Sequence, residues 1–159
     1  MELLAQDVMK KEVISVKENI SLFQLQEIFF NENISGAPVI DDEGKLVGIV
    51  SKTDLICSEL EQELENILGS FVSILSDELI QFPELKEKPV RRHTVITVKD
   101  IMTKNVLTVK KSTPVKEVAS LMLEHKIHRL IVVENGKVIG LISSMDLLPL
   151  IAKGEIKLW

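Results

Sequence analysis

Two short stretches carry the same chemistry-bearing residues at the same spacing: Gly48-Ile49-Val50-Ser51-Lys52-Thr53-Asp54 and Gly140-Leu141-Ile142-Ser143-Ser144-Met145-Asp146. A serine three residues ahead of an acid, before an apolar run, is the pattern of a helix cap. The hydroxyl takes a backbone N–H of the first turn and the acid reaches back. That acid is more often Glu or Gln, so Asp fits the role less well. The same residues also suit a nucleotide. A helix N-terminus offers free N–H groups and partial positive charge to a phosphate, and the serine hydroxyl adds a donor. One turn on, a carboxylate has two acceptor oxygens for the vicinal hydroxyls of a ribose. The glycine three residues before the serine lets another backbone approach closely.

Elsewhere the residues argue against catalysis. His93, His125, His128 and Cys57 do not form a zinc-ligand spacing. There is no Walker A loop and no G-x-S-x-G elbow. Asp41-Asp42 falls in a hairpin turn, where solvated charge is the ordinary explanation. The expectation is a protein that is not an enzyme and holds neither a metal nor a resident cofactor. A net charge of −5 disfavours a nucleic-acid backbone, though a small anion can still bind in a local pocket. Five Phe, one Trp and no Tyr argue against base-stacking platforms for single strands. No apolar run approaches the ~20 residues that span a bilayer. The start, Met1 to Asp7, lacks the basic and apolar regions of a signal peptide, and the single Cys57 cannot make an internal disulfide. A cytoplasmic location is expected.

The elements that must hold these residues are written twice. At an offset of 93 residues, Asp7-Val8-Met9 lies on Asp100-Ile101-Met102 and Val13–Lys17 on Val106–Lys110. Ile34 lies on Ile127, and after a one-residue deletion Gly44–Gly48 lies on Gly136–Gly140. Each copy opens with a short apolar stretch. A helix follows, with Leu22, Leu25, Ile28 and Phe29 on one face in the first copy and Val115, Val118, Leu121 and Met122 in the second. Thr113-Pro114 reads as a capping hydroxyl and a first helical proline. Two strands joined by a polar turn come next, Ala37–Ile40 with Leu46–Val50 and Leu130–Val133 with Val138–Ile142, the second pair around Asn135-Gly136, a strong hairpin signal. The serine then starts a last helix. The order is strand, helix, strand, strand, helix, in a mixed α/β (α+β) chain. Residues 1–56 form one unit and residues 95–159 the other with a C-terminal tail. Between them, residues 57–94 read as an insert, with one helix over Cys57, Leu60, Leu64, Ile67 and Leu68 ending near Gly69. A second helical segment over Phe71–Ile80 and a Pro83/Pro89 linker follow. The insert is too apolar for disorder and must pack on the core or on another subunit.

This duplicated unit, with D-[VI]-M at its start and G-h-h-S-x-x-D at its end, resembles the CBS domain, and two in tandem resemble a Bateman module. Ile34-Ser35-Gly36-Ala37-Pro38-Val39-Ile40-Asp41 and Lys126-Ile127-His128-Arg129-Leu130-Ile131-Val132-Val133-Glu134 look like the family's second-strand segment, with Ile131 where proline is usual. The resemblance implies a pseudo-two-fold pair with two clefts between the repeats. One would use Asp54 for ribose, Ser51 for phosphate and Ile49 against the base, walled by Met102, Leu107, Ile127 and His128. The other would use Asp146, Ser143 and Leu141, walled by Met9, Ile14, Ile34 and Ser35. Arg129 could reach phosphate, with Lys10, Arg91 and Arg92 weaker candidates. The implied function is a regulatory module that senses an adenosine derivative (AMP, ADP, ATP or S-adenosylmethionine). It would act as a homodimer on an effector protein in trans, with no nucleic-acid polymer and no membrane insertion. The alternative is a dimerisation scaffold whose serine–aspartate pairs only cap helices.

Overall fold

A computed structural model describes residues 2–78 and 95–154. Two three-stranded sheets, each built from one sequence repeat, form the frame. In the first repeat, β1 (Val16–Lys17) pairs parallel with β2 (Gly36–Ile40), and β2 pairs antiparallel with β3 (Leu46–Ser51). In the second, β4 (Thr108–Lys110), β5 (Arg129–Glu134) and β6 (Lys137–Ser143) repeat that pattern. Turn chemistry fixes the hairpins. Asn135 and Gly136 sit at φ 52° and 78°, the left-handed conformation a tight primed turn requires. In the first copy Asp41 Oδ1 accepts from the N–H groups of Glu43 and Lys45, both at 2.9 Å.

The crossover helices are α2 (Leu22–Asn31) and α5 (Val115–Glu124). Ser21 caps α2 in a box with Gln24. On α5 the cap is Pro114, one residue later than the sequence reading, because Thr113 Oγ1 turns back to accept from the Lys110 N–H at 3.1 Å. Both helices end on a left-handed residue, Asn33 and Lys126. The N–H groups of Ile34 and Ile127 then close back on Phe29 and Met122 at 3.1 and 3.0 Å. These stops aim Ser35 and His128 at the start of β2 and β5.

Two short helices precede the strands, α1 (Ala5–Val8) and α4 (Val98–Ile101). Each is exchanged. Ala5, with Leu3, Val8 and Met9, packs in the core of the second repeat around Val118, Leu130, Val132 and Ile142. Val98, with Ile101 and Met102, packs in that of the first around Leu25, Phe29, Val39 and Val50. The bonds match: Ala5 N–H to Thr113 O at 2.8 Å, and Val98 N–H to Ile20 O at 3.0 Å. The sequence units 1–56 and 95–159 therefore differ from the packing units, each of which borrows the other's first helix.

The last helix of each repeat is α3 (Lys52–Glu78) or α6 (Ser144–Ala152). α3 is one helix where the sequence suggested a stop near Gly69 and a second segment from Phe71. The glycine costs a helix interior only about 1 kcal/mol, too little to break it. Pro83, Pro89, Arg91, Arg92 and His93 lie outside the described residues.

Candidate functional site

Both serine–aspartate pairs form the cap. The Ser51 N–H and Oγ–H donate to Asp54 Oδ2, each at 2.7 Å, and those of Ser143 donate to Asp146 Oδ2 at 2.8 and 2.6 Å. Asp7 and Asp100 hold the N–H groups of Leu4 and Thr97 in the same way, at 2.9 and 2.8 Å. The expectation that Asp suits this role poorly is thus corrected: the shorter side chain reaches its cap in both copies of both motifs. Capping does not exhaust the chemistry, because it uses one carboxylate oxygen. Asp146 Oδ1 lies 3.1 Å from Lys10 Nζ of the first repeat. Burial pushes the Asp146 carboxyl up, but the Ser143 hydroxyl and N–H together with Lys10 outweigh it and hold the group below its ordinary value.

The exchanged segments bring the two repeats together here. The Lys10 N–H bonds Leu141 O at 2.9 Å and Leu141 N–H bonds Lys10 O at 3.0 Å. Ile49 and Thr103 make the equivalent pair, both at 2.9 Å. The glycines of the motif make room for these crossings. A Cβ at Gly48 would meet Met102 Sδ at 2.6 Å, and one at Gly140 would meet Met9 Cγ at 2.8 Å.

Between the repeats lies a cleft of about 700 Å³, within the size range of small-molecule sites. Of the residues chosen from sequence, Ile14, Ile34, Ser35, Leu141, Ser143 and Asp146 line it, the set assigned to one site less Met9. Ile49, Ser51 and His128, assigned to the other site, line the same cleft, as does the phosphate candidate Arg129. Asp54, Met102, Leu107 and Ile127 do not. Met102 packs on the first core; Met9, Leu107 and Ile127 pack on the second. Arg129 crosses the cleft, its Nη1 donating to Ser35 Oγ at 3.0 Å. A Cβ at Gly36 would be in ordinary contact with that nitrogen, at 3.6 Å, and would crowd Val50 O at 3.2 Å.

Lys52, Ser144 and Glu12 line the cleft without having been singled out. Lys52 and Ser144 follow the motif serines directly, so a helix start facing a cleft was the available signal. Lys52 N–H and Ser144 N–H bond the carbonyls of Ser35 and His128 at 3.0 and 2.9 Å, which ties each helix start to the strand that precedes it in the cleft wall. The starts of α3 and α6 therefore open into one space, with Lys10, Lys52 and Arg129 around it. Among the described residues, no group of three His, Cys, Asp or Glu stands together as a metal site, and no helix is long and apolar enough to cross a membrane.

A profile of the CBS domain matches residues 5–60 and 98–153. The chain belongs to the CBS domain family and carries two copies in tandem. It is 31% identical over 151 residues to a Methanocaldococcus jannaschii protein, MJ1426, covering 92% of this chain and 89% of that protein. It is 35% identical over 130 residues to CBSX2, a chloroplastic CBS domain-containing protein of Arabidopsis thaliana, covering 80% of this chain and 54% of that one. Of other relatives it spans less, 41% of MJ1225 and 22% of an L-aspartate semialdehyde sulfurtransferase, both from M. jannaschii. Among solved structures, it is similar to the CBS domain pair of protein MJ0100 in complex with 5′-methylthioadenosine and S-adenosyl-L-methionine. That match has a TM-score of 0.69 and 26% identity, covering 97% of this chain and 99% of that one. CBSX2 in complex with AMP matches with a TM-score of 0.69 and 27% identity, covering 96% and 98%.

Proposed function

We propose that this chain is a regulatory module that binds an adenosine derivative in the cleft between its repeats and signals the occupancy to a partner protein. The observation that carries this is the convergence of two helix starts, Asp146 and three cations on one cleft with apolar walls. Ile14, Ile34 and Leu141 would hold the base, Asp146 the ribose hydroxyls, and Ser143, Lys10, Lys52 and Arg129 the phosphate. Solved relatives holding AMP, or methylthioadenosine and S-adenosylmethionine, support the adenosine class. Three cations against Glu12 and Asp146 favour a phosphate-bearing member (AMP, ADP or ATP) over the sulfonium of S-adenosylmethionine. Asp54, Met102, Leu107 and Ile127 would belong to a second, pseudo-equivalent site.

The nucleotide is then a regulatory ligand rather than a cofactor, and the chain has no catalytic role of its own. We place it in the cytoplasm as a homodimer, reporting energy or methyl-donor status to an effector in trans. A switch of this kind requires the ligand to prefer one arrangement of the repeats. Calorimetry with AMP, ADP, ATP and S-adenosylmethionine tests the proposal: saturable heat with at least one of them, lost in Asp146→Ala, is expected. Absence of heat and of any thermal shift with all four leaves the dimerisation scaffold, in which both serine–aspartate pairs serve as caps alone.

A further inference from the structure

An ionised carboxylate has about four lone-pair sites, two on each oxygen, and Asp146 faces the cleft with most of its own in use. Oδ2 accepts both the N–H and the hydroxyl of Ser143, at 2.8 and 2.6 Å. Oδ1 takes Lys10 Nζ at 3.1 Å. That leaves room for about one more donor. A ribose brings two vicinal hydroxyls, so one of the present donors must give way. The two are not held alike. Ser143 is the N-cap of α6, and its N–H is part of the turn that starts the helix. Lys10 has a fixed backbone, bonded both ways to Leu141 at 2.9 and 3.0 Å, but its side chain is 68% exposed. Its flexible four-carbon stem lets the ammonium leave Oδ1 while the frame stays in place.

We propose that Lys10 is a latch on the ribose-binding acid and thereby the residue that selects phosphate-bearing ligands over the bare nucleoside. This rests on the reading of the cleft given above. The ribose hydroxyls displace Nζ from Oδ1. A ligand with a phosphate offers the displaced ammonium a new anion within the same cleft, so one ion pair is exchanged for another. A bare nucleoside offers none, and the ion pair it breaks weakens its binding. S-adenosylmethionine brings a positive sulfonium toward the cation that its own ribose has released, and the two repel. The latch belongs to one repeat. Thr103, at the place equivalent to Lys10, makes the same pair of backbone bonds with Ile49, both at 2.9 Å, but carries no charge to set against an acid.

Calorimetry of the full chain with AMP and with adenosine, wild type against Lys10→Met, tests this. Methionine keeps most of the stem and removes the charge. Adenosine is expected to bind the variant about threefold tighter and AMP about threefold weaker, so the preference for AMP falls about tenfold. Added salt screens an exposed pair, so it should tighten adenosine binding to the wild type and not to the variant. Lys11→Met, which removes an exposed charge one residue away, should change either affinity by less than about twofold. A lysine that only meets phosphate weakens AMP in Lys10→Met and leaves adenosine where it was. Adenosine affinity that is unchanged or lowered in that variant, with AMP still binding the wild type, therefore overturns the latch alone. Absence of saturable heat with AMP in the wild type overturns the reading of the cleft, and the latch with it.

Discussion

Asp54 and Asp146 occupy the same place in the two repeats, with the same cap, yet among the described residues only Asp146 has a cation against it. The backbone around them is alike to within about a tenth of an ångström in the crossing bonds, Lys10 with Leu141 and Thr103 with Ile49. What differs is the side chain set into each frame. At the offset that aligns the repeats, Lys10 corresponds to Thr103, Ser35 to His128, and Gly36 to Arg129. Duplication has kept the hydrogen-bonded frame, which cannot change one residue at a time without loss. The charges, which a frame of backbone bonds does not constrain, have diverged. The cleft carrying Asp146 gathers Lys10 directly and Arg129 through Ser35.

If the frames are equivalent, crowding them should cost the same. Gly48→Val would push into Met102 Sδ at 2.6 Å and Thr103 O at 3.1 Å, and Gly140→Val into Met9 Cγ at 2.8 Å and Cβ at 3.1 Å. The methionine tips can move; Thr103 O and Met9 Cβ follow only with the backbone. Each variant should lose about 2–3 kcal/mol in urea unfolding, the upper part of the range for overpacking. A difference above about 1 kcal/mol between the two would show that the frames are not equivalent after all.

The charges should separate what the frames do not. Asp146→Ala and Asp54→Ala each remove a cap and should each cost about 1 kcal/mol of stability. On AMP affinity they should part. Asp146→Ala removes a charged acceptor facing the cleft and should weaken binding roughly 10–100-fold by calorimetry, against less than about threefold for Asp54→Ala. Equal losses would mean that both acids grip ligand and that the cleft lined by Asp146 is not special. Arg129→Ala sharpens the point by ligand: affinity for AMP should fall about fivefold while affinity for adenosine stays within about twofold.

The frame was legible in the sequence because it depends on local rules. Short apolar strands, the Asn135-Gly136 turn and the apolar faces of α2 and α5 each follow from neighbours a few residues away, and repetition doubled the signal. The exchange of α1 and α4 was not legible. It depends on which core receives Val8, Met9, Ile101 and Met102, and a four-residue helix with two apolar residues does not encode its destination. α4 itself had a trace, Thr97-x-x-Asp100, the same cap spacing as Ser51 and Ser143, obscured by its length of four residues. Within the site, the acid and serine were read from spacing, whereas the apolar wall came from the family resemblance, and of it Ile14, Ile34, Ile49 and Leu141 line the cleft. Lys52 was passed over because a lysine beside a helix start ordinarily faces water. The sorting of residues into two sites blurred for a related reason. His128 and Arg129 stand at the start of β5 and line the cleft that holds Asp146, a placement the sequence pattern does not encode.

The smallest effect tests the comparison most directly, because it isolates the one ion pair that tells the acids apart. The Asp146 carboxyl in the folded chain lies below its ordinary value of 3.8, burial being outweighed by Ser143 and Lys10. A depressed folded value means the carboxylate's contribution is fully present above 3.8 and is lost as pH falls through the lower folded value. Lys10→Ala removes part of the depression and should move the Asp146 titration back up toward 3.8, read by the carboxyl ¹³C shift. Lys10 is 68% exposed, so water and salt screen the pair and its removal should cost only a few tenths of a kcal/mol near neutral pH. That cost should shrink further in high salt and vanish once Asp146 is protonated. If the titration does not move, the cap alone holds the carboxyl down. The asymmetry of the cleft then rests on Arg129 and Ser35 rather than on Lys10.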